Sequence, residues 1–160
     1  MKKIVITCLI VFCLVSISYS QDYNTGIGLR AGPYYGLTVK HFMGEKPAFE
    51  LLLASRWRGF AITGLYEIHN QAFNTERLKW YYGFGGHIGF WNRDYTNWGP
   101  QPNIGDPNYT VIGIDGILGL EYSFTEVPIN IGVDWKPAFD LVGYSGFWAD
   151  GGALSIRYIF

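Results

Sequence analysis

The amino-acid sequence predicts an all-β fold: an eight-stranded antiparallel up-and-down transmembrane β-barrel with a filled polar interior. Three observations predict it. Apolar residues alternate with polar or small ones along most of the chain, which is the period of a strand with two different faces. Aromatic residues are abundant at 18% and charged residues scarce at 16%, where soluble domains average about 25% charged. The chain also opens with an export signal.

The export signal occupies the first residues. Lys2 and Lys3 precede an apolar stretch at residues 4–15, and small polar residues then lead to a cleavage site before Gln21. The apolar stretch is shorter than the roughly 20 residues that a spanning helix needs. Residues 1–20 are therefore predicted to be a cleaved signal peptide and residues 21–160 a single β-barrel domain.

The composition of the mature chain excludes two classes of protein. Cys8 and Cys13 both lie in the signal, so residues 21–160 cannot form a disulfide framework. Cleavage removes Lys2 and Lys3 from the 12 basic residues and none of the 13 acidic residues, which leaves a weakly acidic chain. A basic surface for nucleic acid is therefore not expected.

Eight runs of alternation predict eight strands. The alternation is clearest at the C-terminus, where Leu154, Ile156, Tyr158 and Phe160 share one face. The run at residues 112–124 is longer than a typical strand of a globular protein, which has about five or six residues. Its length suits a strand that crosses a membrane at a tilt. The predicted strands are residues 25–32, 35–42, 49–57, 59–69, 80–91, 112–124, 129–136 and 153–160.

The connections predict which end of the barrel faces outward. Short connections are expected at residues 43–48, 57–59 and 126–128, and moderate ones at 70–79 and 140–152. The longest, residues 92–109, is rich in proline and glycine. An even strand number places both chain ends on the periplasmic side, so the longest connection is predicted to face outward.

The ionic residues of the strands all lie on the face opposite the apolar one. A closed eight-stranded barrel has an interior that side chains fill, and ions there must be paired. If these side chains faced lipid, each Lys or Arg at the middle of the bilayer would destabilise the barrel by about 2 to 4 kcal/mol. The predicted interior charge network is Arg30, Lys40, Arg56, Lys136 and Arg157 with Glu50, Glu67, Asp115, Glu121 and Asp134.

Aromatic residues near the ends of the runs predict two interfacial girdles of a membrane barrel. They are Tyr35, Trp57, Trp80, Tyr82, Trp91, Tyr122, Trp135, Tyr158 and Phe160.

The signal, the alternating runs and the last eight residues, 153–160, resemble the small outer-membrane barrel families of the OmpA transmembrane-domain and OmpX type. The resemblance implies an outer-membrane location and contact with its lipid. It also implies that Ile156, Tyr158 and Phe160 form the signal that the barrel-assembly machinery reads. Pro137 departs from the pattern, because proline cannot donate to a strand ladder, and should mark a strand end or a bulge.

No catalytic, cofactor or metal site is predicted. His41, His69 and His87 lie on three different strands and are expected to be hydrogen-bonding side chains rather than metal ligands. Lipid A deacylases of similar architecture carry a histidine and a serine two residues apart, and the sequence has no His-x-Ser. The protein is therefore not expected to be an enzyme.

The predicted function is a structural or surface-binding role in the outer membrane, without an open pore. The connections at residues 92–109 and 144–150 would present the binding surface, and the sequence does not identify a ligand. Two alternatives remain open. One is a barrel enzyme that hydrolyses or transfers the acyl chains of membrane lipids, and the other is a soluble, lipocalin-like periplasmic lipid carrier with an apolar cavity.

Overall fold

The computed structural model describes residues 23–56, 59–92, 108–143 and 146–160. The predicted signal peptide lies outside these residues, as does most of the longest predicted connection. The described residues include no helix that is long and apolar enough to cross a membrane. Their strands are β1 Thr25–Ala31, β2 Tyr35–Phe42, β3 Pro47–Arg56, β4 Gly59–Ala72, β5 Thr75–Asn92, β6 Asn108–Ser123, β7 Ile129–Trp135, β8 Ala138–Val142, β9 Gly146–Trp148 and β10 Gly152–Ile159.

These segments form a closed antiparallel barrel. Each of β1 to β6 pairs with its neighbours along the chain, and β1 also pairs with β10 to close the wall. The segments β7 and β8 both pair with β6 and together make the seventh strand. The segments β9 and β10 make the eighth strand, because they pair with β8 and β7 respectively. The predicted eight-stranded β-barrel is confirmed.

Pro137 causes the break in the seventh strand. It lies between β7 and β8, where its missing N–H would otherwise join the ladder. Its carbonyl still accepts a hydrogen bond from Gly116 N at 2.9 Å, and Lys136 N donates to Gly151 O at 3.1 Å. The wall therefore continues across the break with a local irregularity, as predicted for this residue.

The registers fix the stagger of the barrel. A path through paired residues leaves the seventh strand at Asn130, circles the wall and returns at Asp140, ten residues further on. With about 3.3 Å per residue and about 4.8 Å between strands, this shear tilts the strands by about 40°. The path runs through Arg157, Gly28, Thr38, Leu52, Thr63, His87 and Gly113.

The moderate connection predicted at residues 70–79 is wrong. In the structure β4 and β5 extend into this segment and meet at a two-residue turn, Phe73 and Asn74. Both turn residues have positive φ, 50° and 54°, as a type I′ hairpin turn requires. The segment escaped prediction because its polar residues do not alternate with apolar ones.

The moderate connection predicted at residues 140–152 is also shorter than expected. The segment β8 continues to Val142, and β9 pairs with it from Gly146. The seventh strand therefore extends well beyond Trp135, which lies near its middle and not at its end. The girdle position predicted for Trp135 is wrong for that reason.

The two faces of the wall differ in charge. Outward side chains of the strands are apolar or uncharged in every position that the structure describes. Inward side chains are mainly ionic or polar, with a small apolar cluster of Leu52, Leu65, Tyr81 and Ile117 at mid-height. We call the end with Asn24 and Phe160 the lower end and the opposite end the upper end.

Candidate functional site: the ionic interior

All ten residues of the predicted charge network lie inside the barrel. The most exposed of them, Arg56 and Lys136, have only 7% of their surface exposed. The structure adds three buried titratable residues that the predicted network lacked, His69, His87 and Asp140. These side chains divide into a lower network and an upper network, with the apolar cluster and one ion pair between them.

The lower network is centred on Lys40 of β2. Its Nζ lies 2.8 Å from Glu67 Oε2 and 3.2 Å from Glu121 Oε2, and 3.5 Å from Glu50 Oε2. The ammonium group also lies 3.9 Å from the centre of the Tyr81 ring, close enough for a cation–π contact. One lysine thereby joins β2 to carboxylates of three other strands.

Arg157 of β10 is the second cation of the lower network and is fully buried. Its NH2 donates to Glu50 Oε1 at 2.6 Å. Its Nε donates to Thr38 Oγ1 at 3.1 Å and its NH1 to Asn130 Oδ1 at 3.2 Å. Because these partners lie on β2, β3 and β7, the guanidinium links strands on both sides of the closing seam.

Tyr23, just before β1, covers the lower network from below. Its hydroxyl donates to Glu121 Oε1 at 3.1 Å, and its ring packs edge-on against Phe42 at 5.1 Å between centroids. Burial, together with the nearby charge of Glu121, raises the pKa of the Tyr23 phenol. The hydroxyl therefore stays protonated and remains a donor.

The pair of Arg30 and Asp134 lies at mid-height beside the apolar cluster. Two hydrogen bonds join them, of 2.7 and 2.5 Å, and Tyr81 Oη donates to Asp134 at 3.1 Å. Gly119 provides the space for this arrangement. A Cβ at that position would lie 2.5 Å from the Tyr81 ring and 2.7 Å from Asp134 Cβ, which is closer than real side chains approach.

The upper network is centred on His87 of β5. Its ring nitrogens contact two carboxylates, Asp115 at 2.7 Å and Asp140 at 3.0 Å. Lys136 forms an ion pair with Asp115, and Trp148 Nε1 donates to Asp140 at 2.8 Å. The network therefore connects β5, β6, β8 and β9, and Lys136 joins it from the break between β7 and β8.

Aromatic residues surround the upper rim of the interior. Arg56 forms an ion pair with Asp150 and lies 4.7 Å from the centre of the Tyr34 ring. A Cβ on Gly59 or Gly89 would collide with the Trp91 ring. Trp91 therefore faces inward over these glycines, and its predicted place in an outer girdle is wrong.

In the lower half of the barrel, outward aromatic rings occur in contacting pairs. Tyr122 and Phe124 lie 5.1 Å apart and Trp80 and Tyr82 lie 5.4 Å apart. Trp57, another predicted girdle residue, lies outside the described residues. The predicted assembly residues, Ile156, Tyr158 and Phe160, are about half exposed on the outer face.

The histidines occupy three separate places. His69 is buried in the lower network and His87 in the upper network, whereas His41 is exposed and meets Thr25 Oγ1 at 2.9 Å. Among the described residues, no three His, Cys, Asp or Glu side chains form a group that could hold a metal ion.

Asp140 was missed by sequence reasoning, although its alternation with Phe139 and Leu141 continues the strand beyond Pro137.

Comparisons with known proteins add no relative. No family model matches the chain, and neither the curated proteins nor the solved structures searched include a match. The resemblance to the OmpA and OmpX type thus stays a prediction from pattern.

Proposed function

We propose that the mature chain is an integral outer-membrane β-barrel with a structural or surface-binding role and without an open pore. The observation that carries the proposal is the separation of charge between the faces of one wall. The described outward side chains of the strands bear no formal charge, whereas the ionic side chains of the interior are buried against each other. That distribution fits a barrel with hydrocarbon outside.

The height of the apolar wall supports a membrane location. At a tilt of about 40° each residue advances about 2.5 Å along the barrel axis. The outward run from Trp80 to Phe90 then covers about 25 Å, the height of the apolar band in barrels of this class. A water-soluble monomer rarely exposes an apolar patch of more than a few hundred Å², and this surface encircles the whole molecule.

The filled interior supports a role other than conduction. Arg157, Lys40 and Tyr81 are among the largest fully buried side chains of the described residues, and Leu52 lies between the two networks. Barrels with a water-filled channel have about 16 to 18 strands. The partners of this barrel would be membrane lipid, the assembly machinery through β10, and an unidentified ligand at the upper loops.

Fractionation tests the proposal directly. The full chain, expressed with its signal in a bacterium that has two membranes, should appear in the outer-membrane fraction. It should migrate differently in electrophoresis before and after boiling, because an intact membrane barrel resists detergent. Recovery as a soluble periplasmic protein with bound lipid would instead support the carrier. Release of acyl chains from lipid A by the purified barrel would support the enzyme.

A matched pair of variants tests the outward face. Leu118 is an outward residue near mid-height on β6, and Phe73 lies at the tip of the lower β4–β5 hairpin. Leu118→Arg should lower the free energy of unfolding from bilayers by about 2 to 4 kcal/mol, and Phe73→Arg by about 0 to 1 kcal/mol. Equal, small effects of the two substitutions would contradict a lipid-facing wall.

A further inference from the structure

The segments β8 and β9 form the upper part of the wall beyond Pro137. The segment β8 pairs with β6 from Ala138 to Val142, with an irregularity between Ile112 and Gly113. The segment β9 pairs with β8, and in the described part of the chain no other strand pairs with β9. Because strand pairing joins the two segments to the barrel along one edge, side-chain contacts are needed to hold them firmly.

His87 of β5 makes a side-chain contact that reaches across β6 to these segments. Its Nε2 lies 3.0 Å from Asp140 Oδ1 on β8, and Trp148 Nε1 of β9 donates to Oδ2 of the same carboxylate at 2.8 Å. Gly113 leaves room for the ring, since a Cβ there would lie 2.5 Å from His87 Cε1. One carboxylate therefore joins both β8 and β9 to β5.

Both nitrogens of the His87 ring face carboxylate oxygens, because Nδ1 also lies 2.7 Å from Asp115 Oδ2. A neutral imidazole has one N–H and one lone pair, so one of the two contacts would set a lone pair against a carboxylate oxygen. An imidazolium donates at both nitrogens. Each carboxylate also has a second partner that favours its ionised form, since Lys136 forms an ion pair with Asp115 and the Trp148 indole can only donate.

We propose that His87 is a proton-dependent clamp: its ring carries both protons at neutral pH and in that form holds β8 and β9 to β5 and β6. Loss of one proton to the solvent replaces a hydrogen bond with a repulsive contact, so the upper part of the wall then opens more readily. The inference concerns the interior alone and does not depend on the proposed function.

The groups around the ring come from every neighbouring element. On β4, Thr63 pairs in register with His87 and carries no charge. The charged and titratable groups are Asp115 on β6, Asp140 on β8 and Lys136 at the break between β7 and β8, followed at the upper rim by Tyr34 before β2, Arg56 on β3 and Asp150 before β10.

The clamp makes opening of the upper wall depend on pH. Above about pH 6.5 an imidazole exposed to water is mostly neutral, whereas the closed clamp holds the second proton. The closed state then binds more protons than the opened state, so its stability falls as pH rises. The equilibrium constant for opening increases by at most about tenfold per pH unit.

Amide hydrogen exchange in detergent micelles tests the clamp, because it measures local opening. Asp140→Asn is the informative variant: its amide nitrogen can donate to His87 Nε2 while its oxygen accepts from Trp148, so a neutral ring suffices. The matched control is Asp150→Asn, which makes the same substitution at the upper rim and leaves the contacts of His87 in place.

The exchange rates of the β8 and β9 amides are corrected for the intrinsic pH dependence of exchange. From about pH 7 to pH 9 the opening constant should rise in the native chain and in Asp150→Asn, by up to about tenfold per pH unit, and stay constant in Asp140→Asn. A constant value in the native chain, or the same rise in Asp140→Asn, would overturn the proposal.

Nitrogen-15 NMR provides a second measurement that needs only the native chain. At neutral pH the His87 ring, assigned through its backbone signals, should show a bound proton on each of its two nitrogens. A ring with one protonated nitrogen would contradict the clamp, including the case in which Asp115 or Asp140 keeps the proton instead.

Discussion

The lower and upper networks differ in how completely the barrel encloses them. In the lower network Lys40, Glu50 and Arg157 have no exposed surface. In the upper network His87 is 8% exposed, and the Asp150 side chain at the rim is 46% exposed. The same types of ion pair therefore lie in two environments, one fully buried and one that becomes partly exposed towards the upper rim.

We expect burial, and not the number of ion pairs, to set the free-energy cost of breaking them. A cation removed from the lower network leaves carboxylates that water cannot reach, which is the expensive case for buried pairs. At the upper rim water can replace a lost partner, so exposed pairs contribute little.

Arg157→Leu should have the largest effect. It removes the donor to Glu50, Thr38 and Asn130 and leaves buried carboxylate charge unpaired. The free energy of unfolding in micelles should fall by about 3 to 5 kcal/mol. The outward neighbour provides the control, since Ile156→Leu keeps volume and polarity and should change stability by less than about 1.5 kcal/mol. A loss below about 1 kcal/mol for Arg157→Leu would mean that water enters the lower network.

Asp140→Ala should have an intermediate effect in the upper network. It removes the acceptor of both His87 Nε2 and Trp148 Nε1, and the site is only slightly open to water. We expect a loss of about 1 to 3 kcal/mol in the same unfolding measurement. Asp140→Asn retains one acceptor oxygen and should therefore lose less stability than Asp140→Ala. If Asp140→Ala and Arg157→Leu lower the free energy of unfolding equally, the lower network is no more sensitive than the upper one to the loss of a partner.

The sequence predicted the wall of the barrel well because a strand in a two-sided environment must alternate. Every residue between two outward apolar neighbours must point inward, and this placed Glu121 and Arg157 inside without reference to their partners. Trp91 could have been placed by the same rule, since it shares a face with His87 and Gly89.

The pairings inside the barrel could not be predicted in this way. Arg30 meets Asp134 across 104 positions of the chain, and that meeting depends on the shear, which no local pattern encodes. The segments at residues 70–79 and around Asp140 were missed for local reasons. The first has no apolar face to alternate, and Pro137 hides the continuation of the strand in the second.

Gly119→Ala tests the packing between the two networks. The added Cβ would collide with the Tyr81 ring and with Asp134, so we expect a loss of about 1 to 3 kcal/mol from overpacking. Gly152→Ala is the matched control, because nothing lies within 4 Å of a Cβ at that position. Its stability should stay within about 0.5 kcal/mol of the native chain. Similar free energies of unfolding for the two variants would show that Tyr81 and Asp134 can shift to accommodate the added methyl group.

Asp150→Ala should have the smallest effect, although it breaks an ion pair with Arg56. The carboxylate is nearly half exposed, and the guanidinium keeps its contacts with the rings of Tyr34 and Trp148. We expect a loss below about 1 kcal/mol that shrinks further at high salt, because screening weakens exposed charge pairs. Arg157→Leu measured in the same salt series should keep its full effect, since salt does not reach the lower network. A salt-independent loss at Asp150 would show that the upper rim is as closed as the lower network.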